Sequence, residues 1–182
     1  MLELDPDATW RSLESCLDIT SIDDDAIQEV LIDFEVGRFD EATFVNKLES
    51  LSNREVSYQE IITAWNAMLG PLPRQRLEML KSLRGSYKIH LLSNTNETHI
   101  RYVYDYLKRT YDIDDFGGEY FDSHHYSHMM KMRKPNRDIY KSVVDHILYT
   151  ETSTSPLQTS YWRSLLSSSC SAVDAALLLC LR

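Results

Sequence analysis

The chain has 182 residues, of which 43% are hydrophobic and 26% charged, a composition ordinary for a globular protein of one domain or a core with a small inserted unit. Its formal net charge of -9 argues against a nonspecific nucleic-acid surface or an anionic membrane surface, since both need basic patches. An anionic small substrate stays possible, because a local positive field can oppose the net charge.

From about Ala8 to Leu83 the pattern is helical. Trp10, Leu13 and Leu17 recur at helical spacing. Asp23-Asp24-Asp25 can cap a helix carrying Ile27, Val30, Leu31 and Phe34, with Gly37 as its stop. Asp40 can cap the next, whose apolar positions are Phe44, Val45, Leu48 and Leu51. Ser57 can cap a third, with Ile61, Ile62, Trp65 and Met68, ended by Gly70-Pro71. Another begins near Pro73 and carries Leu77, Leu80 and Leu83. Gly85 breaks the pattern. Tyr87 to Leu92 then reads as a central strand, because Ile89, Leu91 and Leu92 are apolar while the flanks are not. Glu97 to Arg109 is a predicted helix, Tyr120 to Ser123 a short strand, and Pro135 to Asp145 a helix. A helical block followed by strand-helix alternation predicts an α/β fold: a parallel sheet core with an N-terminal helical cap.

After His146 the character changes. Residues 147–182 are rich in Ser and Thr, nearly free of charge, and hold Cys170 and Cys180. Ser153-Thr154-Ser155 and Ser167-Ser168-Ser169 fit no element, and Leu177-Leu178-Leu179 is an apolar run with no partner pattern. The segment reads as a flexible tail or as the product of a reading-frame change. The frame change fits better, because a disordered tail usually carries more charge and less Leu, Trp and Cys. Three cysteines without a Cys-x-x-Cys argue against a disulfide scaffold and against structural zinc. No secretory leader is visible, and no stretch approaches the roughly 18 apolar residues of a membrane span, so the cytoplasm is the expected location.

Chemistry concentrates at two places. Ser93 follows an apolar strand, where open α/β sheets place their ligand crevice. Its hydroxyl and the following backbone N–H groups can hold phosphate oxygens, although Ser93-Asn94-Thr95-Asn96 also reads as a helix cap. Lys134, in Met132-Arg133-Lys134-Pro135, can supply positive charge. Alone it reads as part of a solvated basic cluster.

In this order and spacing the two segments resemble motifs two and three of the haloacid dehalogenase (HAD) superfamily. Glu35-Val36-Gly37-Arg38-Phe39 and Glu41 to Phe44 look like the cap helices of its sugar-phosphate phosphatases. The resemblance covers about Leu4 to His146. It implies a HAD-like Rossmannoid core, here incomplete: a remnant over 1–7, a cap over 8–72, a partial core over 73–146 and an aberrant tail over 147–182. It implies Mg²⁺-dependent hydrolysis of a small phosphorylated metabolite through an aspartyl-phosphate. Ser93 and Lys134 would take catalytic and substrate-binding roles, with Asn94 adding its backbone N–H.

Two family motifs are not found. Asp5-Pro6-Asp7-Ala8-Thr9 matches Asp-x-Asp-x-Thr, but Met1 to Leu4 is too short and polar for a central strand, so Asp5 is not expected to be the nucleophile. No adjacent pair of acids follows Asp145, and Asp174 stands alone. No metal ligand is therefore assigned. The chain is expected to be truncated and inactive, with Ile89, Leu91 and Leu92 short of neighbours. The alternative is a non-catalytic phosphate-binding or interaction protein. His124, His125 and His128 are weak metal candidates in an expected loop, and Asp112, Asp114 and Asp115 only loosely resemble a calcium loop. Tyr102, Tyr104 and Tyr106 read as packing and surface.

Overall fold

A computed structural model describes residues 2–20, 25–150 and 176–181. Four helices come first: α1 (Pro6–Leu17), α2 (Asp25–Glu35), α3 (Glu41–Ser50) and α4 (Tyr58–Asn66). Local chemistry sets their starts. Asp5 accepts the Ala8 N–H at the head of α1, which opens on Pro6. Asp40 caps α3, and Ser57 with Glu60 forms a reciprocal capping box on α4. The expected α2 cap at Asp23-Asp24 lies outside the described residues. The four helices close around their own apolar cluster, in which Phe34 stacks on Phe44 at 4.1 Å and Phe44 meets Trp65 at 5.1 Å between ring centroids. Cys16 sits in this cluster, and burial pushes its thiol pKa up.

The second part holds α5 (Arg74–Arg84), β1 (Lys88–Ser93), α6 (Glu97–Tyr111), α7 (Phe116–Tyr120), β2 (Ser123–Tyr126), α8 (Ser127–Met130), α9 (Arg137–Thr150) and β3 (Ala176–Leu181). The sheet order is β2-β1-β3. β1 and β2 run parallel, with Ser93 opposite Tyr126. β3 runs antiparallel to β1, from Lys88 opposite Leu181 to Ser93 opposite Ala176. The architecture is α/β, a small sheet with a helical layer built from the N-terminal block.

Several expectations need correction. The short strand lies at 123–126, not 120–123. Asp115 accepts the Gly118 N–H and so winds Phe116–Tyr120 into a helix, while the backbones of Ile89 and Asp122 begin the pairing of β1 with β2. His124 and His125 therefore sit on β2, not in a loop. The last helix continues to Thr150, because Ile147 repeats the spacing of Val143 and is buried. The apolar run 177–179 has a partner after all, the open edge of β1. Ser153 to Ser155, Ser167 to Ser169, Cys170 and Asp174 lie outside the described residues.

The sheet is covered on both faces. Ile89 and Leu91 pack with Leu77 and Leu80 of α5 and Leu107 of α6, and Leu92 packs with Ile139, Val143 and Ile147 of α9. All three strand residues are at most 3% exposed, so they do not lack neighbours. Among the described residues no helix is long and apolar enough to cross a membrane.

Candidate functional site

β1 ends on Ser93, and the chain turns through Asn94 and Thr95 into α6. Asn96 caps that helix by accepting the His99 N–H at 3.0 Å, and it also takes the Trp65 indole N–H at 3.4 Å. Trp65 lies stacked on His99 at 4.9 Å, and the His99 ring bonds the Trp65 carbonyl. The first turn of α6 is thereby fixed to α4.

Lys134, about forty residues beyond Ser93, arrives at the same end of the sheet. The Asn94 side chain holds it there, with Oδ1 accepting the Lys134 N–H at 2.8 Å and Nδ2 donating to the Lys134 carbonyl at 3.0 Å. The Lys134 ammonium lies 3.5 Å from the Leu92 carbonyl and the residue is only 9% exposed. The Ser93 hydroxyl donates to the Asn94 carbonyl at 3.3 Å. The two sequence candidates thus stand together. The sequence offered only the backbone of Asn94; its amide as a brace was missed, because an Asn after a strand looks like any turn residue until its distant partner is known.

Ser127 and Glu35 were also missed. The fully buried Ser127 hydroxyl accepts the Thr95 N–H at 2.8 Å, and lies within hydrogen-bond distance of the Thr95 and Glu35 carbonyls. The Glu35 carboxylate pairs with Arg133 at 3.0 Å. Burial raises its pKa, against the pull of Arg133 and Lys134. Lys131 donates to the Gly37 carbonyl from the same segment.

Other candidates go elsewhere. Asp5 is the α1 cap, 61% exposed in its side chain and paired with Arg11. None of the three strands carries a carboxylate. Ser123 is hydrogen-bonded to His90 at 2.8 Å and His125 at 2.9 Å, while His128 bonds the Thr95 carbonyl. Lys108 pairs with Asp112 and Asp114. Tyr104 accepts the Gly117 N–H. Among the described residues no group of three or more His, Cys, Asp or Glu side chains is arranged to hold a metal ion. A cavity of about 370 Å³ meets the turn at Ser93, Asn94 and Thr95, and is otherwise mainly apolar, with Leu4, Leu69, Ile100, Val103 and Phe116 in its wall.

A hydroxyl, the N–H of the following turn residue and a buried ammonium at a strand end suit the oxygens of a phosphoryl group. No family profile matches the chain. A D-ribitol-5-phosphate phosphatase of Bacteroides thetaiotaomicron is 25% identical over 124 residues, 66% of this chain and 58% of that enzyme. The chain thus spans less than two thirds of that relative's length. A HAD family enzyme of the same organism, solved as a magnesium complex, superposes with a TM-score of 0.72 at 26% identity over 81% of this chain and 72% of that one. Its complex with magnesium and inorganic phosphate gives 0.67 at 27% identity over 81% and 73%. A HAD-like family hydrolase of Porphyromonas gingivalis shares the fold, with a TM-score of 0.65 at 22% identity over 91% of this chain and 82% of that one.

Proposed function

We infer that this chain, HAD-like in fold and in sequence, is of the phosphatase type, and that Ser93, Asn94 and Lys134 hold the phosphoryl group of a small phosphorylated metabolite. A cytoplasmic sugar phosphate is the substrate class proposed first. Residues 8–72 form the cap and 73–146 the core that carries the site. The observation that carries this reading is the two-bond clasp of Asn94 on the Lys134 backbone, which unites two candidates so far apart in sequence. The Ser93 hydroxyl and the Asn94 N–H donate to phosphoryl oxygens, and the Lys134 ammonium balances their charge.

Magnesium belongs to the family expectation, and solved neighbours hold it. The described residues offer it no cluster of acids, so no step is assigned to it here. Nor does a carboxylate nucleophile stand on the described strands. We therefore propose that the chain binds phosphoryl groups and that its hydrolytic machinery is incomplete. The second reading, a phosphate-binding or interaction protein without catalysis, draws on the same observation and on the exposed position of Asp5.

The test is a titration of the full chain with inorganic phosphate, followed by ³¹P NMR, together with phosphate release from a panel of sugar phosphates with and without Mg²⁺. Binding that falls at least about tenfold in Ser93→Ala and in Lys134→Ala is expected, from the worth of charge-assisted hydrogen bonds. Binding unchanged in both variants would sink the site assignment. Mg²⁺-dependent release by the unaltered chain would overturn the incomplete machinery.

A further inference from the structure

The phosphoryl site is made of two separate segments, and one residue of the helical layer touches the supports of both. Glu35 ends α2. Its backbone carbonyl lies 2.7 Å from the Ser127 hydroxyl, and that hydroxyl takes the N–H of Thr95 in the turn after Ser93. Its carboxylate pairs at 3.0 Å with Arg133, the residue before Lys134. The turn that follows makes this approach possible. Gly37 has φ +67°, and a Cβ there would collide with the His128 carbonyl, so the layer can sit this close only with glycine. Lys131 donates to the Gly37 carbonyl beside it.

We propose that Glu35 is a positioning residue: it sets the Ser93–Thr95 turn and the Lys134 segment relative to one another, and so tunes the affinity of the site for phosphoryl groups. The proposal rests on the phosphoryl-binding reading and adds a dependence on the helical layer. Ser127 and Arg133 transmit the effect; Glu35 itself need not touch the ligand.

The chemistry gives the link a pH dependence. A carboxylate only 22% exposed and facing Arg133 and Lys134 holds its cations only while ionised; Lys131 and His128 lie two residues on, at Gly37. Burial raises its pKa above the ordinary value, and Arg133 and Lys134 oppose that rise. Acidification protonates Glu35, removes the pair with Arg133, and loosens the Lys134 segment while the Ser127 contact, made by the backbone, persists.

The experiment compares the full chain with Glu35→Gln, an isosteric variant, by phosphate titration from pH 8 to pH 5. The ratio of the two affinities cancels the ionisation of phosphate itself. Wild type should bind about tenfold more tightly at neutral pH, the scale of losing an orienting partner, and the ratio should fall toward one as pH drops. A ratio of one throughout, in a variant with unchanged circular dichroism, overturns the proposal. Amide hydrogen exchange at Lys134 is read in parallel and without phosphate. Faster exchange there in Glu35→Gln, with β1 unchanged, is required, and unaltered exchange overturns the proposal as well. If wild type fails to bind phosphate, the phosphoryl reading falls, and the exchange result alone decides whether Glu35 holds the segment.

Discussion

Ser93 and Lys134 stand out in the sequence by residue type and spacing, and the structure brings them to one end of the sheet. Asn94 does not stand out, because what its amide does is defined by a partner about forty residues away. Removing that amide leaves the N–H and carbonyl of Lys134 without their partners in a part-buried place. Asn94→Ala should cost about 1–3 kcal/mol in urea unfolding and should weaken phosphate binding more than stability alone explains. An unchanged phosphate affinity would mean that the brace does not matter to the site. Gly37 was read only as a helix stop. Its positive φ and the nearby His128 carbonyl give it a second task, the close approach of α2 to the Lys134 segment. Gly37→Ala should destabilise by at least about 1–3 kcal/mol in thermal unfolding, and a neutral result would contradict the packing described. The Asp5 pattern misleads for the opposite reason. An Asp-x-Asp before a helix satisfies capping chemistry as readily as catalytic chemistry, and the structure uses it as a cap.

At the level of elements, starts were easier to read than ends. Asp40 and Ser57 announce α3 and α4 through donors only three residues away, so the signal is local. Ser57→Ala should lose both the Glu60 N–H bond and its contact with the Glu60 carboxylate, costing about 1 kcal/mol. Chemical denaturation of the single variant checks this, and a loss below a few tenths would show that the box is not formed. The position of β2 depended on pairing between Asp122 and Ile89 across the chain, which no local pattern encodes. β3 was illegible for a related reason: its partner is the antiparallel edge of a strand more than eighty residues earlier. A hydrophobic run does not reveal which strand it will pair with.

For the whole molecule, two histidines, His99 buried and His125 half-buried, set the acid limit. Burial holds His99 at a pKa of about 4, against the upward effect of its bond to the Trp65 carbonyl. Burial also lowers His125 to about 4, helped by His146, His90 and His124 nearby. The ordinary value is about 6.5. The unfolded chain therefore takes up protons on both rings as pH falls below 6.5, while the folded chain resists until about pH 4. Stability is full above pH 6.5 and drains away between there and pH 4, by at most about 3–4 kcal/mol per ring at roughly 1.4 kcal/mol per pKa unit, and by less for the half-buried His125. Urea midpoints at pH 7 and pH 5 should differ clearly, and His125→Phe should narrow the gap. Equal midpoints would show that these rings are not held neutral. Nothing in the sequence distinguished these histidines from surface ones, since burial is a property of the assembled layers.

One contact also gives the protein an optical signal of its own. Trp65 belongs to the helical layer, yet its indole lies flat on His99 and donates to Asn96, both on the helix that follows Ser93. Ring stacking fixes the electronic surroundings of the indole only while the two layers stay together. The Trp65 share of the emission, separated from that of Trp10 and Trp162 by comparison with Trp65→Phe, therefore reports their separation with no attached dye, and the neutral state of His99 keeps that share free of a charged quencher across the physiological pH range.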